Sequence, residues 1–261
     1  VFQVSLLVSG TLGFICMTVM FVFAKQIATI FADLPDSYYC ILTLSPTIFI
    51  VAIMSVYRGY FQGMNTMLPT ALSQIVEQIF NAFFSVYLAY ILLGYGVDRA
   101  AGQKNIVMGA AGGTAGTGIG ALPGLLVIMF SYTLLKPVLY KKTKYDKNRE
   151  TTETGMEIAK ILFCTAAPII AGTAVFSITN LIDTNMVQII LENSGYTHEQ
   201  AQDLYGQLSG KYVTLTTLPI SISTAVATAA IPSIAASMRL RQRQEIKRKM
   251  NLTLRVSMII S

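Results

Sequence analysis

Apolar residues in this chain run in long blocks separated by short polar stretches, and each block reads as a membrane-crossing helix. Val4 to Ile30 carries no charge before Lys25. At ~1.5 Å per residue that is ample to cross a ~30 Å hydrocarbon core. A short acidic turn, Asp33-Leu34-Pro35-Asp36, closes this first span, and Tyr38 to Tyr57 then runs uncharged to Arg58 as a second, with Pro46 a kink site. After a turn from Gly63 to Pro69, a third span from Pro69 to Tyr95 is interrupted only by Glu77. Gly94 to Lys104 is rich in turn residues. Ile106 to Leu135 is uncharged, and Lys136 to Glu157 is a hydrophilic break containing KKTKYDKNR. Ile158 to Leu191, containing Pro168 and Asp183, is a fifth span ending in the helix-stop sequence Glu192-Asn193-Ser194-Gly195. Tyr205 to Met238 is a sixth, and Met250 to Ser261 starts a seventh after the basic run RLRQRQEIKRK.

Composition agrees with this pattern. The 261 residues are 53% hydrophobic and 12% charged, about half the charge of a soluble domain, and mean hydropathy is +0.57. The expected fold is therefore all-α, a polytopic membrane helical bundle of about seven transmembrane helices. Opening on Val1 and ending in the apolar run LRVSMIIS, the chain reads as a fragment. Its first block lacks the basic start and small-residue cleavage site of a signal peptide. Cys16, Cys40 and Cys164 lie in apolar runs without metal or disulfide spacing. Lys and Arg collect at alternate span ends: Arg58, the Lys136 to Arg149 cluster and the Arg239 to Lys249 cluster fall on one side. That side is expected to be cytoplasmic, so the first span runs outward. Membrane topology and anionic headgroups account for these basic clusters, and no nucleic-acid partner is expected.

Five features carry candidate chemistry. Gly112, Gly116, Gly120 and Gly124 share one helical face, which predicts close approach of another helix; a flexible glycine-rich loop is the alternative. On the third span, Thr70, Ser73, Glu77, Asn81 and Ser85 follow helical spacing, and Gln74 and Gln78 widen the strip. This strip is either one wall of a hydrated cavity, with Glu77 as a coupling group, or a buried network that holds helices together. Lone polar groups recur at Asn180 and Asp183, although Asp183 could meet water at its helix's outer end. Lys211 starts a stripe with Thr214, Thr217, Ser221, Thr224 and Thr228. Arg58, with Gln62 beside it, is placed at a cytoplasmic turn, where its guanidinium could hold a phosphate as a fork. Counting along the two antiparallel spans puts Arg58 and Glu77 ~12 Å apart in depth, as successive stations on one path without a direct salt bridge. Lys25 and Lys160 read as snorkelling residues, and His198 beside Glu199 as ordinary surface. No Walker loop, GxSxG or Asp-rich pair is present, so catalysis is not expected.

The phrase YRGYFQGMNTMLPTALSQIVEQIFN, together with LPISISTAVATAAIPSIAAS, resembles the polysaccharide-transporter branch of the multidrug/oligosaccharidyl-lipid/polysaccharide exporter superfamily, particularly its stage V sporulation protein B group of Gram-positive bacteria and their lipid II flippase relatives. The resemblance implies a MATE/MurJ-like fold of about fourteen helices in two six-helix lobes plus two more, of which this chain holds the third to the ninth. Residues 1–140 would then close the N-terminal lobe, 141–157 form a cytoplasmic linker, and 158–261 open the C-terminal lobe. It also implies alternating access in the cytoplasmic membrane, with an undecaprenyl-pyrophosphate-linked saccharide as substrate and membrane lipids as surroundings; cell-wall synthesis enzymes are candidate partners. A sodium ion, a proton or the membrane potential would drive the cycle without a cofactor. The substrate-cavity residues it suggests are Arg58, Gln62, Glu77, Gln78, Asn81, Asn180, Asp183 and Lys211. In KYVTLTTLP, Lys211 stands where many relatives carry an arginine shortly before the proline. A drug antiporter of the same superfamily and a non-transporting scaffold for envelope or spore-coat assembly remain the alternatives.

Overall fold

The computed structural model describes residues 1–31, 35–64, 66–94, 105–144 and 154–260, and it is helical throughout with no strand among them. The helices are α1 (Phe2–Val22), α2 (Tyr38–Gly63), α3 (Leu68–Leu93), α4 (Ile106–Lys144), α5 (Gly155–Asn193), α6 (His198–Gln207), α7 (Thr214–Arg239) and α8 (Arg243–Ile260). Six stretches among the described residues are long and apolar enough to cross a bilayer: Phe2–Val22, Tyr38–Gly63, Leu68–Leu93, Ile106–Pro137, Gly155–Asn193 and Gln200–Arg239. The chain is a multi-pass membrane protein. α8 is not among the six, because it begins at Arg243 and its first turns carry Arg243, Glu245, Lys247, Arg248 and Lys249. The expected seventh span, from Met250, is thus the helical second part of α8, which carries Arg255.

Several expectations lie partly outside the described residues: the acidic turn at 33–34, the connection at 95–104 and the basic segment at 145–153. The chain divides into two compact units, Val1–Ala159 and Lys160–Ser261.

In the first unit, α4 packs against both α3 and α2, and α2 packs in turn against α1. Sequence neighbours α2 and α3 touch each other little. Small residues make these contacts possible. A Cβ on Gly13 would lie 2.5 Å from Ala52 Cβ, and Ser9 Oγ donates to the Ala52 carbonyl at 3.0 Å, which seats α1 on α2. Between α2 and α4, the Thr43 and Thr114 hydroxyls meet at 2.8 Å. The buried core gathers Met54 and Phe61 of α2 with Ile128 of α4.

The second unit is more open. α7 packs on α8, where Lys249 Nζ donates to Ser237 Oγ at 2.8 Å and to the Ser233 carbonyl at 3.3 Å. α5 ends in a turn made by Gly195, whose φ of +97° suits a residue without Cβ. Thr197 then starts α6 through a capping box with Gln200. His198, read as ordinary surface, is exposed and pairs its Nδ1 with Glu192 at 2.6 Å. Between α6 and α7, Leu208–Val213 forms a π-helical turn. Its wider turn breaks the 3.6-residue repeat, so the stripe from Thr214 to Thr228 does not extend regularly back to Lys211.

Candidate functional site

The third-span polar strip and the fourth-span glycine face are two sides of one seam. α3 and α4 run antiparallel, and each glycine of the face lies against a particular α3 residue. A Cβ on Gly112 would fall 2.6 Å from the Leu88 carbonyl oxygen, and one on Gly116 would fall 2.3 Å from Ser85 Cα. At Gly120 it would fall 2.7 Å from Asn81 Cα, and at Gly124 3.0 Å from Glu77 Cβ. Carbon atoms ordinarily approach to about 3.5–4.0 Å, so only glycine permits this spacing. The segment is therefore a packed helix rather than a flexible loop. Ser85 Oγ closes the seam, its one proton shared between the Gly113 carbonyl at 2.9 Å and Asn81 Oδ1 at 2.8 Å.

At one end of the seam stands an ion pair. Arg58 Nη2 donates to Glu77 Oε2 at 2.5 Å, and Arg58 Nε donates to Ser73 Oγ at 2.9 Å. Ser73 is fully buried, and its hydroxyl donates a hydrogen bond to the Thr70 carbonyl at 3.1 Å. The two charged side chains are only 16% and 17% exposed. This overturns the expectation of separate stations. Arg58 lies inside α2, five residues before its end, while Glu77 lies nine residues into α3. Their depths differ by about 6 Å at ~1.5 Å per residue, a gap that an arginine side chain spans. The expected turn residue is thus a helical residue reaching across the unit. Gly124 makes the crossing possible, since its missing side chain faces Glu77 Cβ, the Ser73 carbonyl and Met54 Sδ, the last at 3.4 Å.

Charge is otherwise absent from this region. Arg58 is the one charged residue of α2, Glu77 the one charged residue of α3, and α4 has none from Ile106 to Leu135. An unpaired charge in such surroundings is costly, and pairing with additional hydrogen bonds offsets much of that cost. Flanking Arg58 in sequence, Tyr57 and Tyr60 join Phe2 and Tyr132 in an aromatic cluster with ring centroids 4.8–5.5 Å apart. Sequence reading did not pick out this cluster; Tyr57 and Tyr60 flanking Arg58 were the available signal.

The structure brings together Arg58, Glu77 and Asn81 of the candidate residues, and adds Ser73, Ser85 and the glycine seam. Gln62 is half-buried one turn beyond Arg58, whereas Gln74 and Gln78 are exposed and do not join the packed strip. Asn180, Asp183 and Lys211 belong to the second unit, where all three are exposed. Asp183 precedes Thr184, whose hydroxyl meets Tyr205 Oη at 2.6 Å. The hydroxyls of Thr217, Ser221, Thr224 and Thr228 return to carbonyls four residues earlier at 2.8–2.9 Å, so that stripe is satisfied by its own helix.

Three relatives match the chain over most of its length. The chain is 26% identical over 255 residues to stage V sporulation protein B of Bacillus subtilis (strain 168), covering 98% of this chain and 47% of the relative. It is 28% identical over 225 residues to lipid II flippase MurJ of the same organism, covering 85% of this chain and 39% of that relative. Uncharacterized membrane protein YabM, also of that organism, matches at 22% identity over 264 residues, covering 100% of this chain and 46% of its own length. The chain thus spans about half the length, or less, of these relatives. No solved structure matches it significantly. The family model described as polysaccharide biosynthesis protein matches residues 3–238, nearly the whole chain, and the chain belongs to that family.

Proposed function

We propose that the protein containing this chain moves the headgroup of a lipid-linked saccharide, of the lipid II kind, across the cytoplasmic membrane by alternating access. The observation that carries the reading is the Arg58–Glu77 pair: one cation and one anion held together inside helices that have no other charge between Tyr38 and Leu93 among the described residues. Such a pair costs more than apolar packing would, and ionisable groups at that depth mark substrate or ion pathways. Arg58 is also the residue type suited to phosphate, because its planar fork matches phosphate oxygens. Family membership and the named flippase among the relatives support the same direction. In this reading Arg58 exchanges its bond to Glu77 for one to the passing phosphate. Gln62, Gln78 and Asn81 supply further polar contacts to the headgroup or a coupling ion; Asn180, Asp183 and Lys211, exposed on the second unit, are that unit's own candidate polar contacts. The two units would correspond to parts of the two lobes.

The test uses the complete protein in cells depleted of their lipid II flippase. Arg58→Ala and Glu77→Ala are each expected to abolish rescue when compared with the wild type at matched membrane levels of the protein. Full rescue by both variants would sink the reading.

A further inference from the structure

We infer that headgroup binding at Arg58 is coupled to protonation of Glu77, so that one proton enters the site with each phosphate-bearing headgroup. The inference rests on the proposed function and follows from charge balance at the pair. As it stands, the pair is neutral: Arg58 Nη2 bonds Glu77 Oε2, and Ser73 Oγ takes Nε. An anionic phosphate that takes over the guanidinium leaves the Glu77 carboxylate without its cation, on a side chain only 17% exposed. A buried carboxylate without a partner is costly, and uptake of one proton from water removes that cost.

Among the described residues of the first unit, the helices that meet at the pair offer no other charge to balance it. α2 has no charge besides Arg58, α3 has none besides Glu77, and α4 is uncharged from Ile106 to Leu135. Where α4 meets Glu77 and Asn81 it presents Gly124 and Gly120. The aromatic groups clustered beside Arg58, Tyr57 and Tyr60 with Tyr132 of α4, are phenols and bring no cation to the exchange. The step is an exchange in which the Arg58–Glu77 bond breaks, an Arg58–phosphate bond forms, and water delivers the proton to the Glu77 carboxylate.

The complete protein in nanodiscs is titrated with a sugar-linked polyprenyl pyrophosphate, whose phosphoryl groups each keep one strongly acidic oxygen and do not themselves titrate over pH 5–8. Calorimetry in two buffers of different ionisation enthalpy counts the protons. The wild type is expected to take up close to one proton per headgroup within this range, with Kd weakening by up to about tenfold per pH unit as pH rises. Glu77→Gln, which keeps an acceptor for Arg58, is expected to bind without proton uptake and with an affinity independent of pH. Wild-type binding that is lost in Arg58→Ala but takes up no proton at any pH overturns the coupling and leaves the proposed function standing. Binding unchanged in Arg58→Ala removes Arg58 as the phosphate contact and overturns both. The proton count on the wild type decides the matter even where a variant fails to fold.

Discussion

Replacing Gly116 by alanine adds one methyl group at the tightest point of the α3–α4 seam. That Cβ would lie 2.3 Å from both Ser85 Cα and Ser85 N, and 2.5 Å from Ser85 Oγ. Restoring an ordinary contact of about 3.5 Å requires the helices to part by about 1.2 Å. Such a shift stretches the 2.9 Å bond from Ser85 Oγ to the Gly113 carbonyl beyond hydrogen-bonding range. Overpacking of this kind costs ~1–3 kcal/mol, and the lost bond about 1 kcal/mol more. The expected destabilisation is therefore about 2–4 kcal/mol. Gly113, three residues away on the same helix, has nothing within 4 Å of a built Cβ, so Gly113→Ala should be neutral or gain up to ~1 kcal/mol from helix propensity. The assay is unfolding of the complete protein in mixed micelles titrated with a denaturing detergent. Equal midpoints for the two variants would refute the seam as the source of helix association.

Three further outcomes are expected. Arg58→Ala and Glu77→Ala should each destabilise by ~3–5 kcal/mol, because each strands the other charge, whereas the double variant should cost less than the sum; a double-mutant cycle with no coupling energy would contradict the pairing. Ser85→Ala should cost about 0.6–1.7 kcal/mol in the same detergent titration, as interhelical hydrogen bonds within membranes do, and no change would mean the Gly113 bond contributes nothing. Thr197→Ala should weaken the start of α6 by ~1 kcal/mol, read as faster amide exchange at Gln200 with little effect at Ile220.

Sequence by itself determined the spans, because membrane crossing depends on a run of about twenty apolar residues, a property of one segment at a time. It also determined that the four glycines share a face and that Thr70, Ser73, Glu77, Asn81 and Ser85 share another, since both follow from 3.6 residues per turn. Only the tertiary structure decided that these two faces meet each other, in a register that sets Gly124 on Glu77, Gly120 on Asn81 and Gly116 on Ser85. Register depends on close approach between segments distant in the chain, and no local period encodes it. The same holds for the ion pair. Counting along antiparallel helices separated Arg58 from Glu77, but the reach of an arginine side chain and the space left by Gly124 joined them. The strip's division into packed Ser73 and Asn81 and exposed Gln74 and Gln78, and the π-helical turn at Lys211, likewise depend on which neighbour each face meets and on backbone geometry that residue types alone do not specify.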